Sequence, residues 1–155
     1  MEKQNFYDLN FDQLKNFLID KAEVDGSKAK MRAQQMFNAV YKKNIKSLDE
    51  LTTFGLELRE KIKNLISLDK PKIIDIQKSK DGTIKFLLEL KDKRNVETVL
   101  IPDKTQSRYT ICLSVSVGCY LSCEFCATAQ ISKKLVRNLT PGAVSYTHLT
   151  LPTKA

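Results

Sequence analysis

The sequence predicts an α/β chain built in two styles: a helical module over residues 1–70, then a β-meander that runs into the opening strand of a larger unit. Three observations predict it. Up to Leu68 the apolar residues recur every three or four positions, the period of an amphipathic helix. From Lys72 the period falls to two, with turn residues at intervals. The final stretch of that period, residues 108–117, leads into a cysteine-rich loop rather than into another hairpin.

Each helix carries a start signal. Asn10 can cap residues 11–21, where Phe11, Leu14, Phe17 and Leu18 fall at helical spacing. Ser27 can cap a longer helix to about residue 43, with Met31, Met36, Phe37, Val40 and Tyr41 as its buried stripe. These Met and aromatic residues are expected in the core, not on a surface for stacking bases. Ser47-Leu-Asp-Glu50 is a capping box, Ser47 bonding the backbone of Glu50 and Glu50 reaching back. A last helix, 56–68, sets Leu58, Ile62, Leu65 and Ile66 on one side before Pro71 stops it.

In the strand region Ile74 and Ile76 share a face, and Ser79-Lys-Asp-Gly82 supplies a turn in which Gly82 takes positive φ. Residues 83–90 return as a second strand. A polar turn at 91–95 leads to a third strand at 96–101, ended by Pro102. In the fourth, 108–117, Tyr109, Ile111, Leu113, Val115 and Val117 point one way and Thr110, Cys112, Ser114 and Ser116 the other. There is no repeat and no glycine-rich phosphate loop.

Composition narrows the partners. The chain has 26 Lys+Arg against 18 Asp+Glu, and residues 71–155 hold 13 of the basic residues but 7 of the acidic ones. After Glu124 no acid follows, whereas Lys133, Lys134, Arg137 and Lys154 do. A basic stretch beside a reactive loop attracts a polyanion, nucleic acid first. No apolar run approaches the roughly 20 residues of a membrane span. The start, Met1-Glu-Lys-Gln-Asn-Phe6, has no apolar signal segment, so a cytoplasmic monomer is expected.

Cys119, Cys123 and Cys126 form Cys-x-x-x-Cys-x-x-Cys within eight residues. Three thiolates so close can hold three irons of a 4Fe-4S cube, one fewer than full protein ligation requires. The open iron is then expected to take the amino and carboxylate groups of S-adenosylmethionine, which predicts radical chemistry. A structural zinc site needs a fourth ligand. Cys112 could supply it, whereas His148 is a poor candidate because it lies in an atypical tail. Disulfides fit poorly with a protein that is not exported. Cys112 itself is either a working thiol on the polar strand face or an inert strand cysteine. Glu97 alternates onto the face of Val99 and Ile101; burial of that face would make it a proton acceptor near neutral pH, whereas solvation would leave it a surface charge.

Ordered motifs extend beyond the cysteines: Ser79-Lys-Asp-Gly-Thr-Ile-Lys85, Val96-Glu-Thr-Val-Leu-Ile-Pro102, Ile111-Cys-Leu-Ser-Val-Ser-Val-Gly-Cys119, Leu121-Ser-Cys-Glu-Phe-Cys-Ala-Thr128 and Arg137-Asn-Leu-Thr140. Over residues 9–142 the chain thereby resembles the front part of radical-SAM RNA methyltransferases of the RlmN-like class. The resemblance implies methylation of carbon 2 of an adenine in 23S rRNA and tRNA, with an electron donor such as flavodoxin. The related carbon-8 methyltransferases that confer antibiotic resistance, and a noncatalytic zinc or RNA-binding module, are the alternatives. It makes Cys119, Cys123 and Cys126 the cluster ligands and sets Phe125 beside the adenosyl group of S-adenosylmethionine. Glu97 matches the proton acceptor, and Cys112 the thiol that resolves a covalent enzyme–RNA intermediate. The implied domains are a helical RNA-binding accessory domain at 1–70, a meander at 71–107 and the start of a partial (β/α) radical-SAM barrel at 108–142.

Residues 143–155 depart from that pattern. Pro152 and the scattered Thr residues do not make the amphipathic helix expected there, so the segment reads as a non-native tail. No cysteine follows Cys126 to carry a methyl group, so the chain alone is not expected to complete the reaction.

Overall fold

Asn10 opens helix α1, Phe11–Asp20, with a reciprocal capping box: its side chain accepts from the Gln13 amide at 2.8 Å while Gln13 accepts from the Asn10 amide at 2.9 Å. The computed structural model describes residues 3–103, 108–121, 123–126 and 136–144. It divides into two units, Met1–Asp69 and Lys70–Ala155.

In the first unit the second helix, α2, is Gly26–Phe37, and its cap is Asp25 rather than Ser27. The Asp25 carboxylate accepts from the Ser27 amide at 2.8 Å, a stronger cap than a hydroxyl because the anion also meets the positive end of the helix. The helix does not run on to residue 43; Asn38–Lys42 widens into a π turn, which leaves Ala39 and Val40 both buried. The buried stripe of α2 is Ala29, Ala33 and Met36, and Met31 faces solvent at 48% exposure. Ser47 and Glu50 form the expected box, on a single 3-10 turn, Leu48–Glu50.

Helix α3 is Leu56–Leu65 and stops short of 68 because residues 66 and 67 are drawn into a strand. Strand β2, Ile66–Ser67, pairs in parallel with β1, Gln4–Asn5. The pair ties the start of the unit to its end, and the Asn5 side chain donates to the Asp69 carbonyl at 2.8 Å. The core joins Phe6, Leu14, Leu18, Met36, Phe54 and Ile62, with Phe6 5.3 Å from Phe37.

The second unit is an antiparallel meander in the order β3, β4, β5, β6: Lys72–Lys78, Ile84–Glu89, Asn95–Asp103 and Arg108–Leu113. Gly82 takes φ +92 in the first turn, as its sequence predicts. Pro102 lies inside β5, opposite Tyr109, instead of ending it; β4 has finished by then, so no donor is demanded of Pro102 on that side. A bulge between Ile73 and Asp75 interrupts the alternation expected of Ile74 and Ile76, and β3 is exposed along its length.

One face of the sheet is apolar. Phe86, Leu88, Val96 and Leu100 are buried there with Leu139. Fully buried Thr98 shares this face, since it pairs with Phe86 across the strands.

The expected single strand over 108–117 is two strands. At Ser114 the side-chain hydroxyl donates to the Glu97 carbonyl at 2.7 Å in place of a backbone ladder bond, and the chain leaves the meander. It resumes as β7, Ser116–Val117, which pairs antiparallel with β8, Arg137–Asn138. Among the described residues of this unit every strand pairing is antiparallel, so they do not display the parallel pairing of a (β/α) barrel. Residues 141–144 form a helical turn, and Ala143 and Val144 pack on the sheet core. The rest of the expected tail, with His148, lies outside the described residues, as do Lys133, Lys134 and Lys154.

Candidate active site

Cys119, Cys123 and Cys126 sit in the connection between β7 and β8, so the ends of that loop are set by the strand pair. Its entrance carries Gly118 at φ +75. The Val136 amide donates to the Val117 carbonyl and the Leu139 amide to the Val115 carbonyl, both at 2.9 Å. Leu139 is then buried in the sheet core. The Arg137 guanidinium reaches back to Asp92 in the β4–β5 turn at 2.9 Å and holds its carboxyl below the usual carboxylate range.

None of the four cysteines is in a disulfide. Cys119, Cys123 and Cys126 are half-buried, and the Leu121 amide donates to the Cys119 sulfur at 3.4 Å. The Cys126 amide donates to the Cys123 carbonyl at 3.1 Å, closing a turn around Glu124 and Phe125. Phe125 is 92% exposed.

The donor chemistry suits an iron-sulfur cluster, with three thiols on one anchored loop and, among the described residues, no fourth protein ligand gathered beside them. Among the described residues no group of three or more His, Cys, Asp or Glu is gathered to hold a metal ion. Cys112 is not brought to the loop as a fourth zinc ligand; it lies exposed in β6.

The register assembles the other two residues. Cys112 stands opposite Val99, Val99 opposite Lys85, and Glu97 lies two positions from Val99. Directly opposed residues of an antiparallel sheet share a face. Glu97, Cys112 and Lys85 therefore occupy the open face, opposite the apolar one.

Of the two alternatives that alternation left for Glu97, the structure selects the solvated one. Its carboxylate is about half exposed and pairs with the Lys85 ammonium at 3.0 Å. Lys85 and the Asp92–Arg137 pair were not singled out from sequence as site residues. The alternation of residues 84–89 does put Lys85 away from the core, but only the register aligns it with Glu97.

Comparison with known proteins bears on these motifs. Residues 4–68 match the ribosomal RNA large subunit methyltransferase N-terminal domain. The chain is 38% identical over 152 residues to the dual-specificity RNA methyltransferase RlmN of Campylobacter fetus subsp. fetus, covering 91% of this chain and 40% of that one. It is 36% identical over 150 residues to a probable RlmN of Staphylococcus aureus, covering 97% and 39%. A crystal structure of a radical SAM methyltransferase from Sphaerobacter thermophilus superimposes with a TM-score of 0.75 at 31% identity, over 94% of this chain and 40% of that chain. The chain thus spans about two-fifths of the length of the curated relatives it matches. With motifs, domain match and fold in agreement, the chain is similar to the N-terminal part of RlmN-like methyltransferases, and residues 4–68 match their N-terminal domain.

Proposed function

We propose that the protein is a radical-SAM RNA methyltransferase acting on carbon 2 of an adenine in 23S rRNA and tRNA, and that residues 108–142 begin its catalytic barrel. The observation that carries this reading is the loop of three cysteines, none in a disulfide, tied at both ends to a sheet whose open face presents Glu97 and Cys112. Cys119, Cys123 and Cys126 would hold a 4Fe-4S cluster, which when bound supplies the one-electron cleavage of S-adenosylmethionine, with electrons from a donor such as flavodoxin.

The chain's own residues do the rest of the work assigned to this part. Phe125 covers the adenosyl group. The proton that leaves the modified adenine is assigned to Glu97 on the family resemblance and not on burial, since its carboxylate is half exposed here and paired with Lys85 at 3.0 Å. Cys112, exposed on the same face, would attack the sulfur of the methyl-carrying cysteine to form a disulfide as that sulfur's bond to the RNA-linked carbon breaks, and the carbon keeps the electron pair and takes up a proton. The exposure of Cys112 suits this role, because thiol reactivity depends on access as well as thiolate fraction.

Anaerobic loading with iron and sulfide, read by metal content and electron paramagnetic resonance, tests the reading. The chain should bind about four irons, and its signal should change with S-adenosylmethionine. Cys119→Ala, Cys123→Ala and Cys126→Ala should each lose the cluster, whereas Cys112→Ala should keep it. Bound zinc, or equal loss with Cys112→Ala, would replace this reading with a four-ligand structural site.

A further inference from the structure

Strands β7 and β8 hold only two residues each, Ser116–Val117 and Arg137–Asn138, and a ribbon so short does not close by itself in water. Its rung Val117–Arg137 matters most, because Val117 stands two residues before Cys119. Whatever holds that rung sets where the cysteine loop begins. Burial of Leu139 supports it from the apolar side. Arg137 supplies a second support, from charge. Its Nε and Nη2 both reach one Asp92 carboxylate oxygen, each at 2.9 Å, and its Nη1 donates to the Asn138 carbonyl at 3.2 Å. Such a fork fixes direction as well as distance.

Asp92 is presented by a turn that keeps an unfavourable backbone. Lys93 takes φ +63, a conformation that glycine or asparagine adopts at less cost. The turn closes nonetheless, with the Leu90 amide donating to the Arg94 carbonyl at 2.8 Å and the Lys93 amide to the Leu90 carbonyl at 3.0 Å. Strain of this kind persists where the surroundings fix it. Here it sets Asp92 toward Arg137, 45 positions along the chain. Arg94 approaches the same oxygen at 3.6 Å, but it belongs to the turn itself and not to the cysteine loop. The two arginines are thus separable: Arg94 can steady the turn, whereas Arg137 joins the turn to the loop.

We propose that Asp92 and Arg137 are positioning residues of the candidate active site, an ion-pair clasp that holds the cysteine loop closed and so slows the loss of iron from a bound cluster. The inference rests on the cluster of the proposed function and deepens it. An exposed ion pair shifts an equilibrium by up to about fivefold. Local opening of β7 from β8 is the equilibrium on which that factor acts.

The first test is amide hydrogen exchange in the whole chain without iron. In Arg137→Gln and in Asp92→Asn the Val136 and Leu139 amides, which donate to the Val117 and Val115 carbonyls, should exchange about two- to fivefold faster. Arg94→Gln removes a cation from the same carboxylate and should leave both amides unchanged. Combining Arg137→Gln with Asp92→Asn should match either change alone, since one interaction cannot be lost twice. In 1 M KCl, where the screening length is about 3 Å, the difference from the natural chain should shrink. After anaerobic loading with iron and sulfide, iron release to bathophenanthroline should quicken by the same factor in Arg137→Gln and not in Arg94→Gln.

Equal acceleration in Arg94→Gln would overturn the inference, as would a double variant whose effect is the product of the single ones, or a difference undiminished by salt. Iron release that keeps its natural rate while exchange quickens would overturn it too. Circular dichroism of each variant reports whether it is folded. If no cluster is taken up, the proposed function fails, and exchange still decides whether the clasp holds the loop. If the cluster loads and exchange does not change, the clasp fails and the proposed function stands.

Discussion

Leu139→Ala probes how the cysteine loop is held. Leu139 is 9% exposed and follows β8 directly, so its side chain pins the exit of the loop onto Leu88, Val96 and their neighbours in the sheet core. The change removes three carbons, worth about 2.4 kcal/mol of transfer energy at about 0.8 kcal/mol per carbon. A residue at the edge of a core leaves a site that can partly collapse, so the added cavity cost is small and the total is about 2–3 kcal/mol.

If that energy holds β7 and β8 closed, their local opening becomes roughly 30- to 150-fold more frequent. Amide hydrogen exchange measures it. The Val136 amide, bonded to the Val117 carbonyl at 2.9 Å, should exchange faster by that factor, while the Leu14 amide in α1, bonded to the Asn10 carbonyl, should not change. Acceleration of less than about threefold at Val136 would mean that Leu139 does not anchor the loop and that its burial adds little to the closed strand pair. Equal acceleration at Leu14 would refute the assignment of the effect to this core.

Thr98 is fully buried and its hydroxyl has no hydrogen-bond partner among the described residues, so Thr98→Val should leave stability to urea unchanged or raise it by up to about 1 kcal/mol; a loss above that would show a satisfied hydroxyl. Gly82→Ala should cost about 1–2 kcal/mol, because it forces a side chain onto φ +92 and brings its Cβ 3.2 Å from the Pro102 ring; an unchanged melting temperature would contradict that backbone. Asp92 is held below its ordinary pKa by the Arg137 guanidinium, so its stabilising effect is full above the unfolded value of about 3.9 and disappears as pH falls through the folded value. The stability gap between the natural chain and Asp92→Asn, about 0.2–1 kcal/mol for so exposed a pair, should therefore close on acidification from about pH 5; a gap that widens would reverse the sign.

Much of the local structure was legible because it is written in neighbouring residues. The Asn10 and Ser47 boxes, the positive φ of Gly82 and the change of period at Lys72 each depend on contacts within four or five positions. The choice of cap at α2 was misread because Asp25 and Ser27 compete for the same helix end, and the carboxylate wins. Met31 fell outside the buried stripe because alanines, which carry little periodic signal, form it.

By itself the sequence determined the kind of elements, the cysteine spacing and the family likeness, since these live in residue identity and short-range order. Tertiary structure alone decided three things: that Ser114 ends β6, that β1 and β2 close the first unit, and that Glu97, Lys85 and Cys112 share an open sheet face. Those outcomes depend on strand register. Register is a choice among long-range pairings whose energies differ by which face is buried, and the alternation within one strand cannot reveal its partner.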